Sequence, residues 1–159
     1  MAVRTRYSIE DYIALEGEYP DRKFKPDSTG APVETAPNMD HFDVQGEITV
    51  LLRLWLRTGA LPGYKAGPAL THQIENWVCQ PDVSVAHRDD RPYPRRAPLL
   101  AVEVRSKRNS WREMRAKAAR YLEYGSAMGW LGDPRPQTLR PHQAGAAPET
   151  RARGGGVGG

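Results

Sequence analysis

Two carboxylates and one lysine stand out by type and spacing. Glu103 lies inside the apolar run Leu99-Leu100-Ala101-Val102-Glu103-Val104, and Asp82 follows Gln80-Pro81 at the head of Asp82-Val83-Ser84-Val85-Ala86. A carboxylate inside a buried strand must be paired, protonated or bound to metal, because an unpaired buried charge is strongly unfavourable. Two carboxylates at the ends of adjacent strands can converge on one divalent cation. Mg²⁺ takes hard oxygen ligands, often one or two carboxylates, with water and substrate phosphate in the other positions. The competing account is an Asp that caps a turn and a Glu paired with an Arg. Lys117 is the third element, placed early in a helix that starts soon after the Glu103 strand ends. A short return loop would bring that helix back beside the strand end, where a lysine orients water or neutralises charge at phosphorus. Glu113 and Lys117 also stand i, i+4, so a surface helix ion pair is the plainer alternative. Tyr121, one i+4 step further, reads first as core packing.

Other chemistry is excluded. His41, His72, His87 and His142 have no metal-ligand spacing, so a zinc site is rejected. Cys79 reads as a buried small hydrophobe. There is no G-x-S-x-G, P-loop or GxGxxG, and the glycines of the C-terminal RGGGVGG precede no helix that could cradle phosphate.

The elements that must position these groups follow from pattern. Ser8 caps a short helix, with Asp11 at its third position and Ile9, Tyr12, Ile13 and Leu15 as its stripe. Residues 17–40 are rich in Gly, Pro and Asp, with a short strand at Pro32–Thr35. A long helix is expected from Phe42 to Arg57, with Phe42, Ile48, Leu51, Leu52, Trp55 and Leu56 near one face and Gly59 as the stop. Ala66–Thr71 and Ile74–Val78 are strand candidates. Asp82–Ala86 alternates and predicts a half-buried strand, Arg88–Pro98 a charged Pro-rich loop, and Leu99–Val104 a buried strand. Ser110-Trp111-Arg112-Glu113 is a capping box opening a helix over Trp111–Tyr124. Trp111, Met114, Ala118, Tyr121 and Leu122 form its apolar face, and Gly125 ends it. Trp130-Leu131 starts a further strand, closed by Asp133-Pro134. Residues 143–159 lack apolar residues to bury and are expected to form a disordered tail after one domain over 1–142.

The chain has 159 residues, is 39% hydrophobic and 26% charged, and carries a net charge of +4. Residues 1–60 hold seven basic and ten acidic side chains, whereas residues 88–120 hold eleven basic and four acidic. That basic segment points to a polyanionic partner, unless it is simply a solvated Arg-rich face. No apolar run approaches a membrane span, and the N-terminus lacks a signal-peptide core. One cysteine excludes an internal disulfide, so a cytoplasmic location is expected.

QPDVSVA, then LLAVEVRSKRNSWREMRAKAARYLEYG, then WLGDP, together with YSIEDYIAL and PVETAPNMDHF upstream, resemble the bacterial Uma-type family of restriction endonucleases, within the PD-(D/E)XK nuclease superfamily. The resemblance spans about residues 7–142. It implies an α/β (α+β) restriction-endonuclease-like core, a mixed sheet flanked by helices, with the site where two central strands diverge. It implies Asp82 and Glu103 as metal-binding acids, with the Val104 carbonyl as a further ligand. The superfamily's lysine position is here Arg105, and the lysine of the Uma-type family, moved to the next helix, is Lys117. His41 and Gln80 fall at recurrent supporting positions. The implied reaction is hydrolysis of nucleic-acid phosphodiester bonds, DNA foremost, with Mg²⁺ or Mn²⁺ activating water. Arg105, Lys107, Arg108 and Arg112 would grip the backbone without reading sequence. Cutting both strands of a duplex would favour a homodimer.

Departures from the family pattern carry expectations too. Phe24-Lys25-Pro26 replaces an acidic Tyr-Glu-Leu-type segment, so a supporting acid is lost and a strand start disturbed. Ser126 replaces a usual valine, and Glu113 stands where Asp is frequent. After Asp133-Pro134 the chain reads as truncated or frame-shifted, with a C-terminal strand or hairpin missing and sheet edge exposed. Alanine at Asp82, Glu103 or Lys117 is expected to abolish cleavage with folding largely intact. Two rivals stand beside the nuclease: a non-catalytic, decayed nucleic-acid-binding module, and a protein-interaction scaffold.

Overall fold

The computed structural model describes residues 6–107, 109–135, 138–142 and 151–152. In chain order the elements are α1 (Ile9–Glu18), β1 (Phe24–Pro26), β2 (Pro32–Glu34), α2 (Met39–Arg57), β3 (Tyr64–Pro68), β4 (His72–Ile74), β5 (Trp77–Cys79), β6 (Val83–His87), β7 (Leu100–Val104), α3 (Trp111–Glu123), β8 (Met128–Asp133), β9 (Thr138–His142) and β10 (Arg151–Ala152). Six strands form one mixed sheet in the order β10-β9-β8-β7-β6-β3, and β1-β2 and β4-β5 are separate two-stranded ladders. Among the described strands only β7 and β8 run parallel, and α3 is the crossover such a pair requires. This is the mixed-sheet α+β architecture expected from the sequence.

Period-two alternation sorts β7 between two layers. Leu100, Val102 and Val104 pack with Val83, Val85, Ile48 and Leu52, the last two from α2. Ala101 faces the other way, onto Tyr121 of α3 and the β4-β5 ladder through Trp77 and Cys79. Glu103, two residues on, therefore emerges on the α3 side. Every residue of β7 is buried, as the apolar run predicts.

The helix starts are written locally. Ser8 and Asp11 form a complete capping box on α1, and Ser110 and Glu113 form another on α3. Gly125 follows α3 with φ +112°, the left-handed backbone in which a glycine ends a helix without strain. Arg120 holds α3 to the rest of the molecule. Its guanidinium lies over Trp77 and donates to the Ser28 carbonyl at 2.7 Å.

Several expectations are corrected. α2 begins at Met39, capped by Asn38, because the Asn side chain accepts from the His41 N–H. Its buried face runs through His41, Ile48 and Leu52, while Phe42, Leu51 and Trp55 are exposed. The apolar residues of this helix fall on two faces, and only one meets the sheet. Ile74–Val78 is not one strand: Glu75, at φ +53°, turns the chain so that β4 pairs back on β5. The strand expected over Ala66–Thr71 ends at Pro68, where Ala69 adopts φ +49°. β6 is buried on both faces rather than half-buried, with Ser84 enclosed along with its valines. β1 forms despite its lysine and proline, pairing Lys25 with Val33. The hairpin expected to be missing after Asp133-Pro134 is present, with β9 antiparallel to β8. The disordered-tail expectation lies outside the described residues except at Arg151–Ala152, which pair with β9.

Candidate active site

β6 and β7 are antiparallel, with Val83 opposite Val102. Continuing that register by one residue sets Asp82 opposite Glu103, which is how two distant carboxylates come to share one place. Both are buried, with 5% and 2% of their surface exposed. Asp82 Oδ2 accepts the Val104 N–H at 2.7 Å and lies 3.3 Å from His41 Nε2. Gln45, one turn along α2 from His41, donates to the Asp82 carbonyl at 2.7 Å. Helix α2 thus holds Asp82 through both its side chain and its backbone. Glu103 Oε1 accepts from the Tyr121 hydroxyl at 3.0 Å, and Lys117 Nζ lies 3.9 Å from Oε2.

The fourth partner is Lys25. Its Nζ lies 2.5 Å from Asp82 Oδ1 and 3.4 Å from Glu103 Oε2, bridging the two acids. Burial works against the charge on Lys25, but Glu103 and Asp82 outweigh it and raise its pKa above the ordinary lysine value. Burial likewise works to raise Asp82, yet Lys25 and His41 hold it well below the usual carboxylate range. Glu103 is shifted up, since burial exceeds the pull of Lys117 and Lys25. Burial and the neighbouring Glu103 also push the Tyr121 hydroxyl up, so it stays a proton donor.

Lys25, His41, Asp82 and Lys117 of this cluster line a cavity of about 510 Å³, together with Lys107 and Asn109, whereas Glu103 does not line it. Its lining mixes three lysines, Lys25, Lys107 and Lys117, with four carboxylates, Asp27, Glu34, Asp82 and Glu113.

The family model described as "Putative restriction endonuclease" matches residues 9–155. The chain belongs to the Uma2 family. A crystal structure described as a putative nuclease belonging to DUF820, from Anabaena variabilis, superimposes with a TM-score of 0.74 at 19% identity, covering 92% of this chain and 85% of that one. At that identity the likeness shows a shared fold. No curated protein matches the chain.

In this Uma2 chain the sequence-predicted residues divide. Asp82, Glu103, Lys117, His41 and Tyr121 are brought together, and Val104 reaches the cluster through its N–H. Lys117 faces Glu103 rather than forming the surface pair with Glu113, whose carboxylate caps the Ser110 N–H. Gln80 instead donates to Thr71 Oγ1 at 2.9 Å. Arg105 lies over the Trp111 ring and 3.5 Å from Asp133, and Arg112 is exposed on α3. Arg108 lies outside the described residues. Cys79 is buried with its thiol pushed up by burial, which keeps it protonated and unreactive.

Lys25 is the site residue the sequence reading missed. The available signal is a lysine where the family pattern has an acid, which sets a cation rather than a further carboxylate beside the pair. It also decides how the site fits a metal. Two convergent buried carboxylates are the right donors for Mg²⁺, but all four of their oxygens face a protein donor or ammonium. Among the described residues, no group of three or more His, Cys, Asp or Glu side chains is placed to hold a metal ion. With Lys25 in place, the pair does not fit a divalent cation. No helix among the described residues is long and apolar enough to cross a membrane.

Proposed function

We propose that this Uma2 chain is an endonuclease acting on the phosphodiester backbone of nucleic acid, DNA foremost, at the Asp82–Glu103–Lys117 cluster. The observation that carries the reading is the meeting of two buried carboxylates from adjacent strands with Lys25 and Lys117, beside a cavity that Asp82 and both lysines line. A phosphate entering that cavity meets Lys117 and Lys25, whose charge offsets what builds on the phosphoryl oxygens as water adds. Glu103, whose ionised form burial disfavours, is the acid of the pair more open to holding a proton. Asp82 holds the cluster in shape through Val104, His41 and Lys25. Arg105, Lys107 and Arg112, with Arg108 between them in sequence, are the cations along which a backbone would lie. A duplex substrate would call for two copies about a two-fold axis. Mg²⁺ or Mn²⁺ would have to displace Lys25 before the carboxylates could hold it.

The test is cleavage of single- and double-stranded DNA and RNA by the parent and by Glu103→Gln and Lys117→Ala, with and without Mg²⁺ or Mn²⁺. Cleavage that both substitutions abolish supports the reading, and cleavage unchanged by either removes that residue's role. One observation favours a second reading, a binding module without cleavage: Lys25 sits where the cation would be. Binding that weakens steeply with salt, with no product under any condition, would select it.

A further inference from the structure

We propose that Lys25 is the resident cation of the Asp82–Glu103 pair and that it excludes divalent metal from the native site. The inference rests on reading that pair as the reactive centre. Lys25 Nζ contacts one oxygen of each acid, at 2.5 and 3.4 Å. The other Asp82 oxygen is engaged by the Val104 N–H and by His41, and the other Glu103 oxygen by Tyr121. A metal entering here meets the Lys25 ammonium already in contact with one oxygen of each acid.

The lysine is also held in place. Its backbone is paired with Val33 in the β1-β2 ladder, and the next residue, Pro26, is fully buried. Its side chain is only 14% exposed, so it is not a surface lysine that swings freely into water. Charge balance points the same way. Two carboxylates against Lys25 and Lys117 make a neutral cluster. Adding a dication without expelling an ammonium would leave two uncompensated positive charges in a buried site. Metal entry therefore requires Lys25 to leave, and leaving breaks two buried charge-assisted contacts.

Removing the ammonium reverses the balance. In Lys25→Gln the two acids retain Lys117 alone, and the vacated position between hard oxygen donors suits Mn²⁺. The experiment is thermal unfolding of the full chain against Mn²⁺ concentration, with a monovalent salt control at equal ionic strength, on the parent, Lys25→Gln and Lys25→Gln/Asp82→Asn. Direct Mn²⁺ binding by electron spin resonance runs beside it. The expected result is a parent whose midpoint ignores Mn²⁺. Lys25→Gln should rise by roughly 3–6 °C per tenfold increase in Mn²⁺ above its Kd, and the double variant should lose that rise.

If Lys25→Gln folds only when Mn²⁺ is present, the proposal is supported by that dependence. Saturable Mn²⁺ binding by the parent that Asp82→Asn removes would overturn the proposal while leaving a metal site at the pair. A folded Lys25→Gln that binds no Mn²⁺ would overturn both. Should the variant fail to fold under all conditions, the parent's spin-resonance titration still decides, since saturable binding at Asp82 contradicts the exclusion.

Discussion

At the scale of single residues, the site is a buried charge network, and its members are structural as well as chemical. Sequence reasoning expects alanine at Asp82, Glu103 or Lys117 to leave folding largely intact. Both acids are enclosed here, and Asp82→Ala would strand the Val104 N–H and leave Lys25 with Glu103 alone. Breaking one side of such a network costs about 3–5 kcal/mol. We expect Asp82→Ala to lower the urea midpoint by a corresponding amount. Lys117→Ala should cost less, since its contact with Glu103 is longer, at 3.9 Å. A urea titration in which Asp82→Ala unfolds with the parent would refute this. Tyr121→Phe removes one hydroxyl and leaves a buried Glu103 oxygen without its donor, for a loss of about 1–3 kcal/mol. The same change should raise the Glu103 pKa further, since that hydrogen bond favours the ionised form. An infrared titration of the carboxyl band reads the direction.

At the scale of elements, what matters is how short strands and capped helices deliver these groups. The turn between β1 and β2 sets where Lys25 lies. Within it Gly30 adopts φ +91°, and a Cβ there would meet the Val78 carbonyl oxygen at 3.2 Å. Its own carbonyl accepts from the Tyr12 hydroxyl at 2.7 Å, tying α1 to the turn. Gly30→Ala should therefore destabilise by about 1–3 kcal/mol. Gly17→Ala, with open space around its Cβ, serves as the control. Equal denaturation midpoints for the two would show that the turn tolerates a side chain. The capping box of α3 was legible as Ser110-Trp111-Arg112-Glu113, because capping chemistry is local. The exposure of Phe42, Leu51 and Trp55 on α2 was not, because periodicity ranks faces without saying which neighbour each will find.

At the scale of the whole molecule, acid sensitivity follows from what the fold buries. His72 of β4 is fully enclosed, with its Nδ1 3.2 Å from the Arg96 carbonyl oxygen in the loop before β7, and burial lowers its pKa to about 4. In the unfolded chain an imidazole titrates near ~6.5. Between those values the unfolded state binds the extra proton, so stability should fall as pH drops from about 6.5 to about 4. Asp82, held low in the fold, adds a further loss below about pH 4 as the unfolded carboxylate protonates first. Glu103 works in the opposite sense, because its ionised form is the one the fold disfavours. Denaturation midpoints measured from pH 7 to 4 should decline for the parent and flatten in His72→Gln. A decline unchanged by that substitution would assign the acid sensitivity elsewhere.

The sequence by itself determined the family, the order of the elements around the site, the Ser8 cap and the Ser110 capping box, and it singled out Asp82, Glu103 and Lys117 as candidates. These signals are local in the chain: a charge within an apolar strand, a cap followed by a helical stripe, a lysine at fixed distance from an acid. Only the tertiary structure decided that Asp82 and Glu103 stand opposite each other, that Gln80 points away to Thr71, and that Tyr121 is a donor as well as a packing residue. It alone revealed Lys25, which lies 57 residues from Asp82 and 78 from Glu103 along the chain. The physical reason is that charge compensation acts through space. The partner of a buried carboxylate is whichever cation the fold delivers to it, and no pattern near Asp82 or Glu103 records that the cation arrives from β1.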